Sequence, residues 1–331
     1  MNQNTISALN DEILERSNFI NEIELNVKKV IIGQEKLINN LIIAILSDGH
    51  VLLEGAPGLA KTLLIKTIST IIDTEFQRIQ FTPDLLPADI IGTLIYNQSE
   101  STFEIKKGPI FSNIILADEI NRAPAKVQSA LLEAMEERQV TIGDNTYELD
   151  NPFFVMATQN PIEQEGTYTL PEAQVDRFMF KLLVDYPNQD EEILILEKMI
   201  NIEPENIKLS KINLQNIFNA RSTIDKIHLS DNIKKYIISI INATRHPEEY
   251  NLNDISQLIS IGVSPRATIY LGKAAKSIAF SKNRAYVIPE DIREIGAAIL
   301  RHRIVTTYEA DAEEITTDEI ISKIFDAIPI P

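Results

Sequence analysis

An apolar run, Val51-Leu52-Leu53, leads into Gly55-Ala56-Pro57-Gly58-Leu59-Ala60-Lys61-Thr62, and a second apolar run, Leu63-Leu64-Ile65, follows at once. Read as strand, loop and helix, this order leaves the first N–H groups of the helix without intrahelical partners, at the positive end of its dipole. A glycine-bearing loop in that place is a cradle for phosphate oxygens, and the flanking strand and helix separate it from a chance string. Lys61 is then placed to reach the β- and γ-phosphates of a nucleotide, and Thr62 to offer its hydroxyl to the accompanying magnesium ion. The usual pattern has glycine just before the lysine. Here that position is Ala60, which fits if the backbone there keeps a negative φ.

The 331 residues suffice for two domains, and 44% hydrophobic residues can fill their cores. A formal net charge of −17 repels polyanions, which argues against nucleic acid as a main partner. That acidity reads either as a well-solvated surface or as a face for a basic client. Cysteine is absent, so disulfides and thiolate metal sites are excluded, in keeping with a reducing interior. With neither a long uncharged apolar stretch nor a basic start followed by an apolar core, a cytoplasmic chain without direct membrane insertion is expected.

The apolar spacing predicts an amphipathic helix over residues 10–29, a break at 30–34, and a second helix to Leu46. Short strands are then expected at 51–53, 76–81, 114–116, 153–157 and 178–184, alternating with helices. That is the pattern of an α/β fold with a mainly parallel sheet. Hairpins are expected at 93–105, turning at Asn97-Gln98-Ser99, and at 140–149, turning at Gly143-Asp144-Asn145. Beyond Pro187 amphipathic helices dominate, at 189–201, 225–245, 264–281 and 289–302. The domain boundary is set there, giving 1–187 and 188–331.

Further chemistry lies beyond the loop. The strand at 114–117 ends in Asp118-Glu119, where α/β sheets place ligands. This resembles a Walker B pair, with Asp118 holding magnesium, partly through water, and Glu119 polarising the attacking water. Asn160, after the strand at 153–157, is either a turn residue or a partner for the γ-phosphate or water. Arg177, just before an apolar strand, either pairs with a local carboxylate or points at a neighbour's nucleotide. His50, His228, His246 and His302 lack metal-ligand spacing and read as structural or surface residues. The basic Arg301-His302-Arg303 reads as a solvated helix end in preference to a subunit contact.

Taken together these segments resemble the AAA+ ATPases, and among them the MoxR family, over nearly the whole chain. The resemblance is carried by Gly33-Gln34, by the alanine variant of the loop at Gly55 to Thr62, and by Leu116-Ala117-Asp118-Glu119-Ile120-Asn121-Arg122-Ala123-Pro124. Ala157-Thr158-Gln159-Asn160-Pro161, residues 170–178, and Ser264-Pro265-Arg266-Ala267 complete it. The fold it implies is a P-loop NTPase (AAA+) αβα core followed by an all-α lid. It implies ATP and Mg2+ as cofactors, held by Gly33, Gly55, Ala56, Pro57, Gly58, Leu59, Ala60, Lys61, Thr62 and Asp118. Thr62 and Asp118 would face the metal. By the same resemblance Asn160 matches sensor 1, Arg177 the arginine finger offered to the adjacent subunit, and Arg266 sensor 2 on the lid. Gln80 falls where the family keeps a polar residue that restrains the catalytic glutamate.

The resemblance further implies ATP hydrolysis in a homo-oligomeric ring, a hexamer, with a chaperone-like role in client maturation or metal or cofactor insertion. A von Willebrand factor A domain protein would act as a separate partner, since this chain has no Asp-x-Ser-x-Ser motif. The two hairpins match the helix-2 and pre-sensor-1 inserts, and read either as client contacts or as plain surface. Two alternatives stay open: a nucleotide-gated binding switch with little turnover, and an ATPase subunit of a magnesium-chelatase-like assembly.

Overall fold

A computed structural model of the chain describes residues 3–161, 167–200 and 207–331. Five parallel strands form its sheet: β1 (Val51–Gly55), β2 (Phe76–Gln80), β3 (Ile114–Asp118), β4 (Phe154–Gln159) and β5 (Phe180–Val184). Their spatial order is β2-β3-β4-β1-β5, so β1 lies between β4 and β5 and carries its loop out near the middle of the C-terminal edge.

Alternation along these strands feeds two apolar layers. Val51, Leu53, Ile114, Leu116, Phe154 and Met156 face one core, shared with the long N-terminal helix Gln3–Val30 and the helices after the sheet. Leu52, Ile115, Ala117, Val155 and Ala157 face the other, closed by the helix Ala125–Glu137. Strands covered on both faces read as apolar runs without polar alternation, as they do in this sequence.

The expected hairpins are present, Gly92–Asn97 with Thr102–Lys107 and Gln139–Ile142 with Asn145–Glu148. They touch each other: a side chain added at Gly143 would meet Leu94 Cδ1 at 2.7 Å. The first hairpin leaves Leu94, Ile95, Tyr96 and Phe103 exposed, with the last two rings 5.2 Å apart.

After Val184 the chain is mostly helical. The helix expected at 189–201 runs Gln189–Met199, and Asn201 lies outside the described residues. The single helix expected at 225–245 is corrected to two, Gln215–Lys226 and Asp231–Arg245. Ser230 caps the second by accepting from Ile233 N at 3.3 Å, and an N-cap of this kind requires extended backbone that a continuous helix cannot supply. A short ribbon, Ile259–Ile261 with Val305–Thr306, interrupts the helices and was not anticipated from sequence. No helix among the described residues is long and apolar enough to cross a membrane.

Candidate nucleotide site

The loop after β1 closes tightly. A Cβ at Gly55 would lie 2.6 Å from the Val184 carbonyl oxygen of β5, so only glycine fits where the strand turns away. Gly58 has φ +83, and the helix Lys61–Ile71 begins at its end. Ala60 departs from expectation: it has φ +53 and ψ +20 instead of a negative φ. The turn into the helix at this point needs left-handed backbone whatever the side chain. Ala60 accepts a local cost of about 1–2 kcal/mol for it.

Lys61 Nζ donates to the Gly55 carbonyl at 2.6 Å, folding across the loop. Burial pulls its pKa below the ordinary lysine value, opposed by the charges of Asp118, Glu119 and Glu54. Thr62 follows in the first helical turn.

Beside the loop an apolar crevice of about 130 Å³ is lined by Ile31, Ile32, Gly58, Leu59, Leu63 and Pro187, among others. Its walls suit a flat, largely apolar ring. Gly33 has φ +69, a left-handed conformation that favours glycine, and the Glu191 carboxyl group packs against it. Gln34 Nε2 holds the same segment to the Asp185 carbonyl at 3.0 Å.

At the end of β3, Asp118 and Glu119 take up distinct hydrogen-bond roles. Thr158 Oγ1 on β4 donates to Asp118 Oδ1 at 2.6 Å and accepts from Glu119 N at 2.8 Å. Arg78 donates to Asp118 Oδ2 through Nε at 3.0 Å and Nη2 at 2.6 Å. Glu119, at φ +56, receives Gln80 Nε2 at 2.7 Å and Arg122 Nη1 at 2.9 Å on Oε2. Asn160 is buried just past β4, one residue beyond the Glu54/Gln159 pairing and therefore level with Gly55.

Thr62 and Asp118 are hard oxygen donors of the kind Mg2+ takes with phosphate and water, so the residues fit that ion. Arg78 and Thr158 were not singled out from sequence. Arg78 is two residues from Gln80 on one strand, so both point to one face, and this period was the available signal.

Arg177 and Arg266 lie together, apart from the apolar crevice. Glu136, near the end of the helix Ala125–Glu137, meets Arg177 Nε at 3.0 Å and also pairs with Arg266 Nη2. Arg266 Nη1 is 3.3 Å from Asp176 Oδ2. Both arginines, with Arg138, Tyr270 and Lys273, line a polar cavity on that face. The sequence-level choice between a local pair and a neighbour's site for Arg177 thus finds a local pair in the single chain.

Arg301-His302-Arg303 is not a solvated helix end. Arg303 is buried and donates to Asp176 Oδ1 at 2.7 Å and to the carbonyls of Asp176, Phe178 and Met179. Burial draws its pKa down to about 10 against the pull of Asp176. His302 Nε2 bonds the Phe178 carbonyl at 3.0 Å, and Arg301 pairs with Asp318 at 2.7 Å. The three clamp the helical part onto the start of β5. A helix end reads as solvated when its tertiary partners are distant in sequence. His50 is also buried, between Met135 O and Val155 N.

Phosphate loop, acidic strand end and helical lid define an AAA+ ATPase. The model of the ATPase family associated with various cellular activities (AAA) matches residues 50–180, and the AAA lid domain matches residues 253–324. Chaperone MoxR1 of Mycobacterium tuberculosis is 45% identical over 305 residues, 92% of this chain and 80% of the relative. Protein MoxR of Paracoccus denitrificans is 30% identical, covering 93% of this chain and 95% of the relative. The crystal structure of a candidate ATPase from Cytophaga hutchinsonii superimposes with TM-score 0.92 at 51% identity, covering 99% of each chain. The chain belongs to the MoxR family of AAA+ ATPases.

Proposed function

We propose that this chain hydrolyses ATP at sites completed between neighbouring subunits of a ring, and uses the resulting motion to remodel a client protein. The observation that carries the reading is the split arrangement of its charged groups. Lys61, Asp118 and Glu119 gather near the phosphate loop, whereas Arg177 and Arg266 gather around Glu136 and line a different cavity from the one beside that loop. Two arginines without a phosphate of their own to meet are suited to a phosphate held by the next subunit.

In this reading residues 1–187 are the nucleotide-binding core and 188–331 the lid. Backbone N–H groups of the loop and Lys61 hold the phosphates, and the crevice at Ile32 and Leu59 holds the base. Thr62 and Asp118 would hold Mg2+, which would supply charge neutralisation at the phosphates. Glu119 orients a water on the γ-phosphorus and takes its proton as the bond to ADP breaks, and Asn160 fixes that water or the γ-oxygens. Arg177 and Arg266 of the neighbour stabilise the transferred group, so each ring junction is one working site. Their shared pairing with Glu136 supports reading the two as one unit that faces the neighbour's γ-phosphate.

The client, a separate von Willebrand factor A domain partner, a hexameric ring and a cytoplasmic location belong to the same proposal. The exposed Leu94, Tyr96 and Phe103 of the first hairpin favour it as the client contact. Phosphate release and nucleotide binding by the purified chain test the site. Wild type is expected to turn over Mg·ATP, Glu119→Gln to bind ATP with wild-type affinity but lose about 10²-fold or more in kcat, and Lys61→Ala to lose binding. Undiminished turnover by Glu119→Gln would refute the assignment.

A further inference from the structure

Asp176 stands next to Arg177 in the chain, yet its carboxylate is spent on the lid. Arg303 Nε donates to Oδ1 at 2.7 Å, Ser264 Oγ to Oδ2 at 3.0 Å, and Arg266 Nη1 to Oδ2 at 3.3 Å. Arg303 also donates to the Asp176 carbonyl at 2.8 Å, so the peptide that joins Asp176 to Arg177 is gripped from the lid side. Tyr270, on the lid helix Pro265–Ser281 that carries Arg266 in its first turn, donates its hydroxyl to the Arg177 carbonyl at 3.4 Å and takes the Arg303 guanidinium over its ring at 5.0 Å. Glu136 then joins the two arginine side chains.

A plain tether between two parts of a protein needs no charge here. Burying a guanidinium and a carboxylate costs solvation that well-packed apolar side chains would avoid, so the pair does not account for itself by stability. What it adds is direction. Its hydrogen bonds fix the backbone on both sides of Arg177 and the first turn of the helix that carries Arg266.

We infer that Asp176 and Arg303 are positioning residues that hold Arg177 and Arg266 as one rigid cationic face for the adjacent subunit's nucleotide. The inference rests on the reading that these arginines act across the subunit boundary. A displacement of about 1 Å in such a group is worth roughly 10²-fold in rate, so the ion pair acts on turnover without touching ATP.

Subunit mixing separates this role from a structural one. Lys61→Ala subunits cannot bind ATP but still present intact arginines, so in mixed rings they restore hydrolysis to a neighbour that lacks only its arginine face. Arg177→Ala mixed with Lys61→Ala is the control. Asp176→Asn alone should bind ATP with wild-type affinity, lose about 10²-fold in kcat, and regain turnover when mixed with Lys61→Ala. Since a stranded buried Arg303 can prevent folding, the double variant Asp176→Leu/Arg303→Met is measured as well. It removes both charges together but leaves the carbonyls of Asp176, Phe178 and Met179 without their donor, so it should melt below wild type yet stay folded, while showing the same restorable loss. Wild-type kcat in the folded double variant would overturn the inference. So would a loss that Lys61→Ala subunits do not restore while they restore Arg177→Ala. If the Arg177→Ala control itself is not restored, the cross-boundary reading fails and the inference falls with it.

Discussion

Gln80 Nε2 on the edge strand β2 donates to Glu119 Oε2 at 2.7 Å, across the end of β3. The same oxygen receives Arg122 at 2.9 Å, and Arg78 Nη2 donates to Gln80 Oε1 at 2.7 Å. The carboxylate that is to polarise water is thus held by two donors, one of them positioned by the arginine that also pairs with Asp118.

If Glu119 must leave Gln80 to reach its water, Gln80→Ala removes part of that restraint while Arg122 remains. Basal kcat is expected to rise, by at most about 10–100-fold given the usual 1.5–3 kcal/mol of a hydrogen bond to a charged group. Phosphate release at saturating ATP measures it. A fall would mean that Gln80 holds the glutamate in its working position.

Thr158 joins the two acids through one hydroxyl, so Thr158→Val strands the Glu119 N–H and leaves Asp118 held only through Oδ2 by Arg78. Supports behind metal ligands are commonly worth 10–100-fold in metal affinity. The Mg2+ concentration for half-maximal ATPase should rise about tenfold, with ATP affinity in the absence of Mg2+ unchanged. Titration of Mg2+ at fixed ATP decides it.

Ala60 adopts φ +53 in the loop, where glycine meets no Cβ penalty. Ala60→Gly recovers about 1–2 kcal/mol of strain and gives back about 0.5–1 kcal/mol through a freer unfolded chain. A net gain of about 0.5–1 kcal/mol is expected from denaturant midpoints. A loss of stability would show that the alanine methyl group makes compensating contacts.

His50 is held neutral, its pKa pushed down to about 3 chiefly by burial, with Arg138 adding to the shift. His302 is likewise driven well below its ordinary value by burial and by Arg303. Their folded pKa values lie under the unfolded one of about 6.5, so on acidification the unfolded chain binds protons that the folded chain does not. The contribution to stability is complete above about pH 6.5 and is lost as pH falls below it, down to about 3 for His50, at up to about 1.4 kcal/mol per pH unit for each ring. Between pH 6.5 and 5, His50→Gln should flatten the pH dependence of the unfolding free energy relative to wild type. Identical slopes would contradict the burial of a neutral ring.

The strands and loop were legible because their signals are local: apolar runs of strand length, a glycine loop, an acidic pair at a strand end. Asp118 was legible for the same reason, whereas Gln80 was singled out only through the family resemblance. The clamp of Arg301, His302 and Arg303 was not, since its partners, Lys181, Asp176 and Phe178, stand more than a hundred positions earlier in the chain. The pairing of Arg177 with Arg266 depends on a third residue, Glu136, that carries no motif of its own. Ala60 misled because the usual preference for glycine at positive φ is a matter of cost, and a loop fixed on both sides can bear that cost.

The central claim is that hydrolysis needs two subunits. The most direct test is specific ATPase activity against protein concentration, for wild type alone and with the double variant Arg177→Ala/Glu119→Gln mixed in. Composite sites predict that specific activity rises with concentration and falls, beyond simple dilution, when the variant is added. Activity per chain that stays constant with concentration and falls only in proportion to dilution would contradict it.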